Sequence, residues 1–251
     1  EISHVGMRDY FKNGIAPEFA IFGEPTTQNQ ICVGYKGRVL LRLKIESEPG
    51  HAACCWQYDN PAELTFHFVN KLKEFAKEKG QASANKEGDG EQSRFGEISV
   101  VLTQINAEST ENTIPKSCFS SIDIRIPPMV TIADIKKKVD EIKADITNNL
   151  IINPKTKIDV EYMSQIEASE SDPNTILVGA LRWSIFKTIN EKPALVKKTG
   201  TSFTNLIISH YNVPTITYGP GDPKLEHSDN EFIEIQEYLN VIEIYRKFFG
   251  K

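Results

Sequence analysis

The sequence predicts an α/β protein in which one α/β domain is interrupted by an inserted α+β domain. Three observations lead to this prediction. Residues 19–22 are apolar on successive positions, which is typical of a strand covered on both faces in a parallel sheet. Residues 35–166 instead combine alternating strands with helical repeats. From residue 167 onward, strands and helices alternate again. Residues 1–34 and 167–251 are therefore predicted to form the interrupted domain.

The inserted domain is predicted from its order of strand, helix, strand, strand, helix, strand. Its strands carry apolar side chains on every second residue, and its helices carry them at helical spacing. This order is the ferredoxin-like split β-α-β fold, with a four-stranded antiparallel sheet under two helices. The predicted strands are 39–46, 97–105, 118–126 and 157–162, and the predicted helices are 61–79 and 132–146. Residues 77–97 are polar with four glycines and predict a loop.

The second segment of the interrupted domain is predicted from alternating helical and strand patterns. The predicted helices are 174–189, 206–210 and 231–249, and the predicted strands are 194–197 and 213–218.

Composition limits the classes of function. A net charge of −5 over 251 residues argues against nucleic-acid binding. No apolar run is long enough to cross a membrane. No signal peptide is recognised, although a leader could have been removed before Glu1. The four cysteines show no CxxC pair, which favours reduced thiols and a cytoplasmic location.

Glu24 and His227 are candidate metal ligands because each follows a predicted strand of the interrupted domain. Ligands of open α/β sheets gather at the carboxyl ends of strands. Glu24 could instead cap a loop, and His227 could be a loop histidine bonded to backbone. These alternatives stay open on the residues alone.

The inserted domain contributes three further candidates. His51 has small neighbours and could reach another surface, or it could be an exposed turn histidine. Asn112 opens a turn before a strand. Arg125 lies on the polar face of that strand, where its guanidinium could bind a carboxylate or form a surface salt bridge with Asp123 or Glu161.

The segment Lys198-Thr199-Gly200-Thr201-Ser202 is a small-residue loop after a predicted strand. Its amides and hydroxyls could bind an oxyanion or carboxylate, or it could be a plain connection. The sequence contains no GxSxG elbow, Walker loop or GxGxxG, so it lacks the usual motifs of serine hydrolases, kinases and dinucleotide-binding enzymes.

The order of several short motifs resembles the M20 metallopeptidases, which include acetylornithine deacetylase and succinyl-diaminopimelate desuccinylase. The segments Gly-Tyr-Lys-Gly, Lys-Thr-Gly-Thr-Ser and Tyr-Gly-Pro-Gly-Asp are most similar to the subfamily that releases lysine or ornithine from an amino-group carrier protein. The other motifs that carry the resemblance are Glu-x4-Gly, Gly-Glu-Pro-Thr, Pro-Gly-His-Ala, Glu-Asn-Thr-Ile-Pro, Asp-Ile-Arg and His-Ser-x2-Glu.

The resemblance implies a zinc-exopeptidase-like catalytic domain with two zinc ions, sometimes cobalt, and an inserted lid that forms a homodimer. Glu1, Glu24 and His227 match metal ligands. His51 resembles a lid histidine that stabilises the oxyanion in the partner subunit's site. Asn112 and Arg125 resemble lid residues that hold the substrate's carboxylate end. Gly200, Thr201 and Ser202 match a substrate-contacting loop.

The implied function is a metal-dependent amide hydrolase of lysine or arginine biosynthesis. Its substrate would be a small N-acyl amino acid or a lysine or ornithine bound to a carrier protein. The family's general base, its His-x-Asp segment and its bridging Asp precede the position of Glu1, so the chain as given is expected to bind two metals poorly. The alternatives are an M20 dipeptidase or aminoacylase, and an inactive dimerising fragment.

Overall fold

The computed structural model describes residues 5–81, 94–226 and 228–250. Its α-helices are α1 (Val5–Asn13), α2 (Pro61–Gln81), α3 (Ile132–Asn149), α4 (Ile176–Ile189), α5 (Phe203–Tyr211) and α6 (Ile235–Phe248). Its strands are β1 (Ala20–Phe22), β2 (Gln30–Tyr35), β3 (Gly37–Glu46), β4 (Gly50–His51), β5 (Ser99–Asn106), β6 (Thr113–Ile114), β7 (Ser117–Ile126), β8 (Lys157–Ile166), β9 (Ser169–Glu170), β10 (Ala194–Lys198) and β11 (Thr215–Thr217). Two 3-10 segments cover Ala52–Gln57 and Pro223–Leu225.

The chain divides into two compact units. The first contains residues 1–36 and 169–251, and the second contains residues 37–168. Both junctions lie two residues later than the predicted boundaries. The predicted loop at 77–97 overlaps the end of α2, and its residues 82–93 lie outside the described part of the chain.

The first unit contains a mixed sheet in the order β1-β11-β2-β10, and β9 also pairs with β2. Strands β1 and β11 run parallel, with Phe22 opposite Thr217. Strands β2 and β10 also run parallel, with Tyr35 opposite Lys198. The loops after β1 and β11 therefore leave the same edge of the sheet side by side.

The core of the first unit is built by β2, β11, α4 and α6. Strands β2 and β11 are its most buried strands, because five of the six residues of β2 and all three residues of β11 are buried. The packed side chains are Ile31, Val33, Leu177, Val178, Leu181, Ile185, Ile216, Tyr218, Val241 and Ile244. The prediction that the strand at 19–22 is covered on both faces is wrong. Strand β1 is only half-buried, and among the described strands it pairs with β11 alone.

The second unit confirms the ferredoxin-like prediction. Its four-stranded sheet has the order β5-β7-β3-β8, and every neighbouring pair is antiparallel. Helix α2 connects β3 to β5, and α3 connects β7 to β8. Alternate residues of β3 face a core between the sheet and the helices, where Val39, Leu41, Leu43 and Ile45 are fully or almost fully buried. The opposite face of β3 carries Arg42 and Lys44.

Hydrogen bonds to polar side chains stabilise the chain at both ends of α3. Helix α3 begins with a capping box in which Thr131 and Asp134 each accept the other's backbone N–H. Beyond its end, the buried Asp59 carboxylate accepts the N–H of Ile152 at 2.8 Å, the N–H of Asn153 at 3.1 Å and the hydroxyl of Thr156 at 2.6 Å.

No helix in the described ranges is long and apolar enough to cross a membrane.

Candidate functional site

Glu24 lies two residues after β1, at the start of the loop that leaves the sheet edge. Its Oε2 accepts a hydrogen bond from the Tyr35 hydroxyl at 3.0 Å. Tyr35 is 2% exposed, and burial raises the pKa of its hydroxyl well above the usual value. The phenol therefore stays protonated and donates to Glu24, which fixes one carboxylate oxygen.

The loop that carries Glu24 runs beside the loop that follows β11. Thr26 donates its N–H to Gly219 O at 3.0 Å, and Thr27 donates its N–H to Gly221 O at 2.9 Å. A Cβ at Gly219 would lie 2.8 Å from the carbonyl oxygen of Glu24, so only glycine allows this approach. The two loops are thus joined along their length.

Lys198, the last residue of β10, connects the two loops at a second place. Its Nζ donates to Pro25 O at 2.7 Å and lies 3.1 Å from Glu226 Oε1. Pro25 directly follows Glu24, and Glu226 directly precedes His227. The predicted ligands Glu1 and His227 themselves lie outside the described residues.

Glu237 of α6 joins the same loops from another side. Its Oε1 accepts the N–H of Gln28 at 2.8 Å and the N–H of Gly221 at 3.1 Å. The loop after Glu24 and the loop that leads to His227 are therefore both bonded to the Glu237 carboxylate, as both are to the Lys198 ammonium group.

His51 and Asn112 lie together at one end of the second unit. His51 is opposite Thr113 in the β4–β6 pair, and Ala52 donates its N–H to Asn112 O at 2.9 Å. The exposed His51 ring accepts the N–H of Ala53 at Nδ1. A neutral ring with this bond carries its proton on Nε2, which makes Nε2–H a donor for a substrate oxygen.

Arg125 lies near the opposite end of β7. Strand β7 begins at Ser117, and Arg125 is eight residues further on, which separates the two positions by about 27 Å at the usual rise of an antiparallel strand. Arg125 Nε contacts Asp123 Oδ1 at 2.7 Å, and Asp123 Oδ2 also accepts from Arg38 Nε at 2.7 Å. The salt bridge with Asp123, left open by the sequence, is therefore present.

A single chain thus does not bring Arg125 together with Asn112, although both were predicted to hold one end of the substrate. The reason is that β7 is extended between them. Either these residues serve different sites, or one site takes them from two chains.

The Gly200–Ser202 loop is only partly available to a ligand. Thr201 donates its hydroxyl to Lys36 O at 3.0 Å, and Ser202 caps α5 by accepting the N–H of Thr204 at 3.0 Å. A Cβ added at Gly200 would meet no atom within 4 Å. Space for a ligand is therefore found at Gly200, while Thr201 and Ser202 hold the loop.

Sequence reasoning missed Tyr35, Lys198, Glu226 and Glu237. Tyr35 and Lys198 lie inside motifs that carry the family resemblance, but the resemblance assigns neither residue a role. Glu226 directly precedes a predicted ligand. Glu237 had no local signal, because its partners Gln28 and Gly221 are 209 and 16 residues away.

Comparison with known proteins gives a consistent set of matches. Residues 33–149 match the M20 family model described as the peptidase dimerisation domain. The chain is 29% identical over 245 residues to a LysW-lysine/LysW-ornithine hydrolase of Sulfurisphaera tokodaii, covering 95% of the chain and 62% of the relative. It is 26% identical over 231 residues to a LysW-lysine hydrolase of Deinococcus radiodurans, covering 91% of the chain and 58% of the relative.

Solved structures share the fold. An M20 family metallo-carboxypeptidase from Sulfolobus solfataricus matches with a TM-score of 0.73 at 16% identity, covering 98% of the chain and 67% of that structure. The di-peptidase Dug1p from Saccharomyces cerevisiae matches with a TM-score of 0.71 at 14% identity, covering 98% and 62%. The chain spans about 60% of the length of the curated relatives it matches.

Proposed function

Because the resemblance to the M20 metallopeptidases is confirmed and residues 33–149 carry their dimerisation domain, we propose that this chain belongs to a metal-dependent amide hydrolase. The enzyme releases lysine or ornithine from a carrier protein or from a small N-acyl group. It acts in cytoplasmic lysine or arginine biosynthesis, with two zinc ions, or cobalt, in each site.

One observation carries the proposal. Lys198 Nζ contacts the residue after Glu24 and the residue before His227. The chain segments of two predicted metal ligands, about two hundred positions apart in sequence, therefore meet at one side chain. Such convergence is needed for a shared metal site, and it is not expected of two unrelated surface residues.

The donor chemistry of the described residues fits a divalent metal. Among them, no three His, Cys, Asp or Glu side chains cluster as a complete ligand set. Glu24 still offers a carboxylate whose second oxygen is oriented by Tyr35, which is how outer hydrogen bonds fix metal-binding carboxylates. Zinc bound there would activate water and polarise the scissile carbonyl.

The second unit would complete the site through a partner chain. The Nε2–H of His51 is suited to donate to the oxyanion of the tetrahedral intermediate. Because His51 and Asn112 lie far from Arg125 in the same chain, a site that uses all three takes His51 and Asn112 from one chain and Arg125 from the other. A homodimer through the lid meets this requirement.

The test uses the full-length gene product loaded with zinc. We expect release of free lysine or ornithine from the carrier-bound substrate, with little turnover of acetylornithine or simple dipeptides. Glu24→Gln should abolish turnover, and His51→Ala should lower kcat by about a hundredfold or more, as loss of an oxyanion donor does. The control Gln57→Ala alters an exposed residue of the 3-10 segment after His51 and should leave turnover unchanged.

The outcome of this test distinguishes the proposed function from its two alternatives. Preferred hydrolysis of dipeptides would favour the dipeptidase alternative. Absence of turnover and of bound zinc in the full-length protein would favour a dimerising protein without catalysis.

A further inference from the structure

We propose that Lys198 is a positioning residue that holds the segment of Glu24 against the segment that leads to His227, through its contacts with Pro25 and Glu226. The inference rests on the proposed function, because it takes Glu24 and His227 as metal ligands. Lys198 itself touches neither substrate nor metal in this proposal.

The partial burial of Lys198 calls for an explanation. Its side chain is only 12% exposed. A buried ammonium group is costly unless it is paired and hydrogen-bonded. Here the cost is offset by the Pro25 carbonyl at 2.7 Å and the Glu226 carboxylate at 3.1 Å. The partly buried charge therefore lies at a place where it joins two chain segments.

The base of the Lys198 side chain is fixed by the sheet. Lys198 is opposite Tyr35 in the parallel β10–β2 pair, and its carbonyl oxygen accepts the N–H of Lys36 at 3.2 Å. Tyr35 binds the Glu24 carboxylate, while Lys198 binds the next carbonyl along the chain. Two neighbouring strand positions thus hold adjacent parts of the Glu24 segment.

The adjacent Lys197 provides a matched comparison. It belongs to the same strand and pairs with Glu170, and both side chains of that pair are more than one third exposed. Glu170 is in β9, remote in sequence from both ligand segments. Removing either lysine deletes one positive charge from the same strand, and the Lys198 ammonium is the one that contacts both Pro25 and Glu226.

Positioning and simple electrostatics predict opposite effects on metal affinity when Lys198 is removed. A cation near a metal site repels the metal, so its removal would tighten metal binding if charge alone mattered. If Lys198 positions the ligand segments, its removal weakens metal binding because those segments lose one of the contacts that hold them together. Loss of an outer contact that orients a metal ligand typically lowers metal affinity about 10–100-fold.

The experiment compares Lys198→Met, Lys198→Arg and Lys197→Met in the full-length protein. Zinc affinity is measured by competition with a chromophoric chelator, and the cobalt-loaded protein is examined by visible absorption. We expect Lys198→Met to weaken zinc binding about 10-fold or more and to change the cobalt spectrum. Lys198→Arg should recover part of the affinity, and Lys197→Met should resemble the unmodified protein.

Unchanged or tighter zinc binding by a folded Lys198→Met variant would overturn the inference. If that variant does not fold, Glu226→Gln decides, because it removes only the ion pair of a partly exposed carboxylate. Weaker zinc binding then supports positioning, and unchanged binding refutes it. Failure of the unmodified protein to bind zinc, or binding that Glu24→Gln leaves unchanged, would instead refute the proposed function.

Discussion

Asp59 shows how much of the second unit depends on one side chain. It is 4% exposed and accepts hydrogen bonds from Ile152, Asn153 and Thr156. Asp59→Ala would leave these donors without their acceptor, so we expect the free energy of unfolding to fall by about 2–4 kcal/mol. Urea unfolding measures this loss. Asp140→Ala, at an exposed position of α3, should change stability by less than about 0.5 kcal/mol.

The four cysteines should differ sharply in reactivity. Cys32 and Cys118 are buried, Cys54 is half-buried and Cys55 is exposed. Burial raises the pKa of the Cys32 thiol, which lowers the fraction of reactive thiolate at neutral pH. A thiol reagent should therefore label Cys55 first and Cys32 only after unfolding, as followed by mass spectrometry. Rapid labelling of Cys32 in the folded protein would contradict this order.

At the scale of elements, the capping box of α3 makes a separable contribution. Thr131→Ala removes the N-cap acceptor and should lower the free energy of unfolding by about 1 kcal/mol in chemical denaturation. Thr131→Ser keeps the hydroxyl and should differ from the unmodified protein by only a few tenths of a kcal/mol. An equal loss in both variants would show that the threonine methyl group, not the cap, stabilises the helix.

The same box predicts a pH dependence. The N–H of Thr131 donates to Asp134 and, with the Thr131 hydroxyl, lowers the pKa of that carboxyl. A carboxyl with a lowered folded-state pKa stabilises the fold above its ordinary value of 3.8 and loses that effect as the pH falls through the lowered value. The stability difference between the unmodified protein and Asp134→Asn should therefore be present at neutral pH and shrink in strong acid, in unfolding measured as a function of pH.

The lid could be predicted from the sequence because each of its elements carries its own periodicity. Strand β3, for example, alternates buried and accessible residues along almost its whole length. Strand β2 was missed, because Ile31 to Tyr35 is a short run buried on both faces, with no alternation to mark it. Helix α1 was also missed. For β1, burial depended on its neighbours in the sheet, which the local pattern does not contain.

At the scale of the whole molecule, the contacts that assemble the candidate site were beyond sequence reasoning. The bond from Lys198 to Pro25 spans 173 residues, and the bond from Gln28 to Glu237 spans 209. No local propensity encodes such pairs. The positions of Glu24 and His227 after strands predict them as ligands, but the groups that hold their segments are seen only in the folded chain.

The proposed dimer makes a quantitative prediction about mixed subunits. His51→Ala and Arg125→Ala should each inactivate the full-length homodimer. If each site takes His51 from one chain and Arg125 from the other, a heterodimer of the two variants keeps one intact site. After unfolding and refolding an equal mixture, about one quarter of the original turnover should return, because half of the dimers are mixed and each has one working site. No recovery would mean that both residues serve the same chain's site.

The length of β7 fixes how far Arg125 lies from the His51 end of the second unit. Arg125 lies eight residues after the first residue of this strand, so the number of strand residues sets the distance between Arg125 and the end of the second unit that holds His51. Two extra residues in β7, matched in β3, would preserve the facing of every side chain and lengthen the spacer by about 7 Å. Such a protein would keep the side-chain pattern of the strand but would hold Arg125 farther from His51 and Asn112.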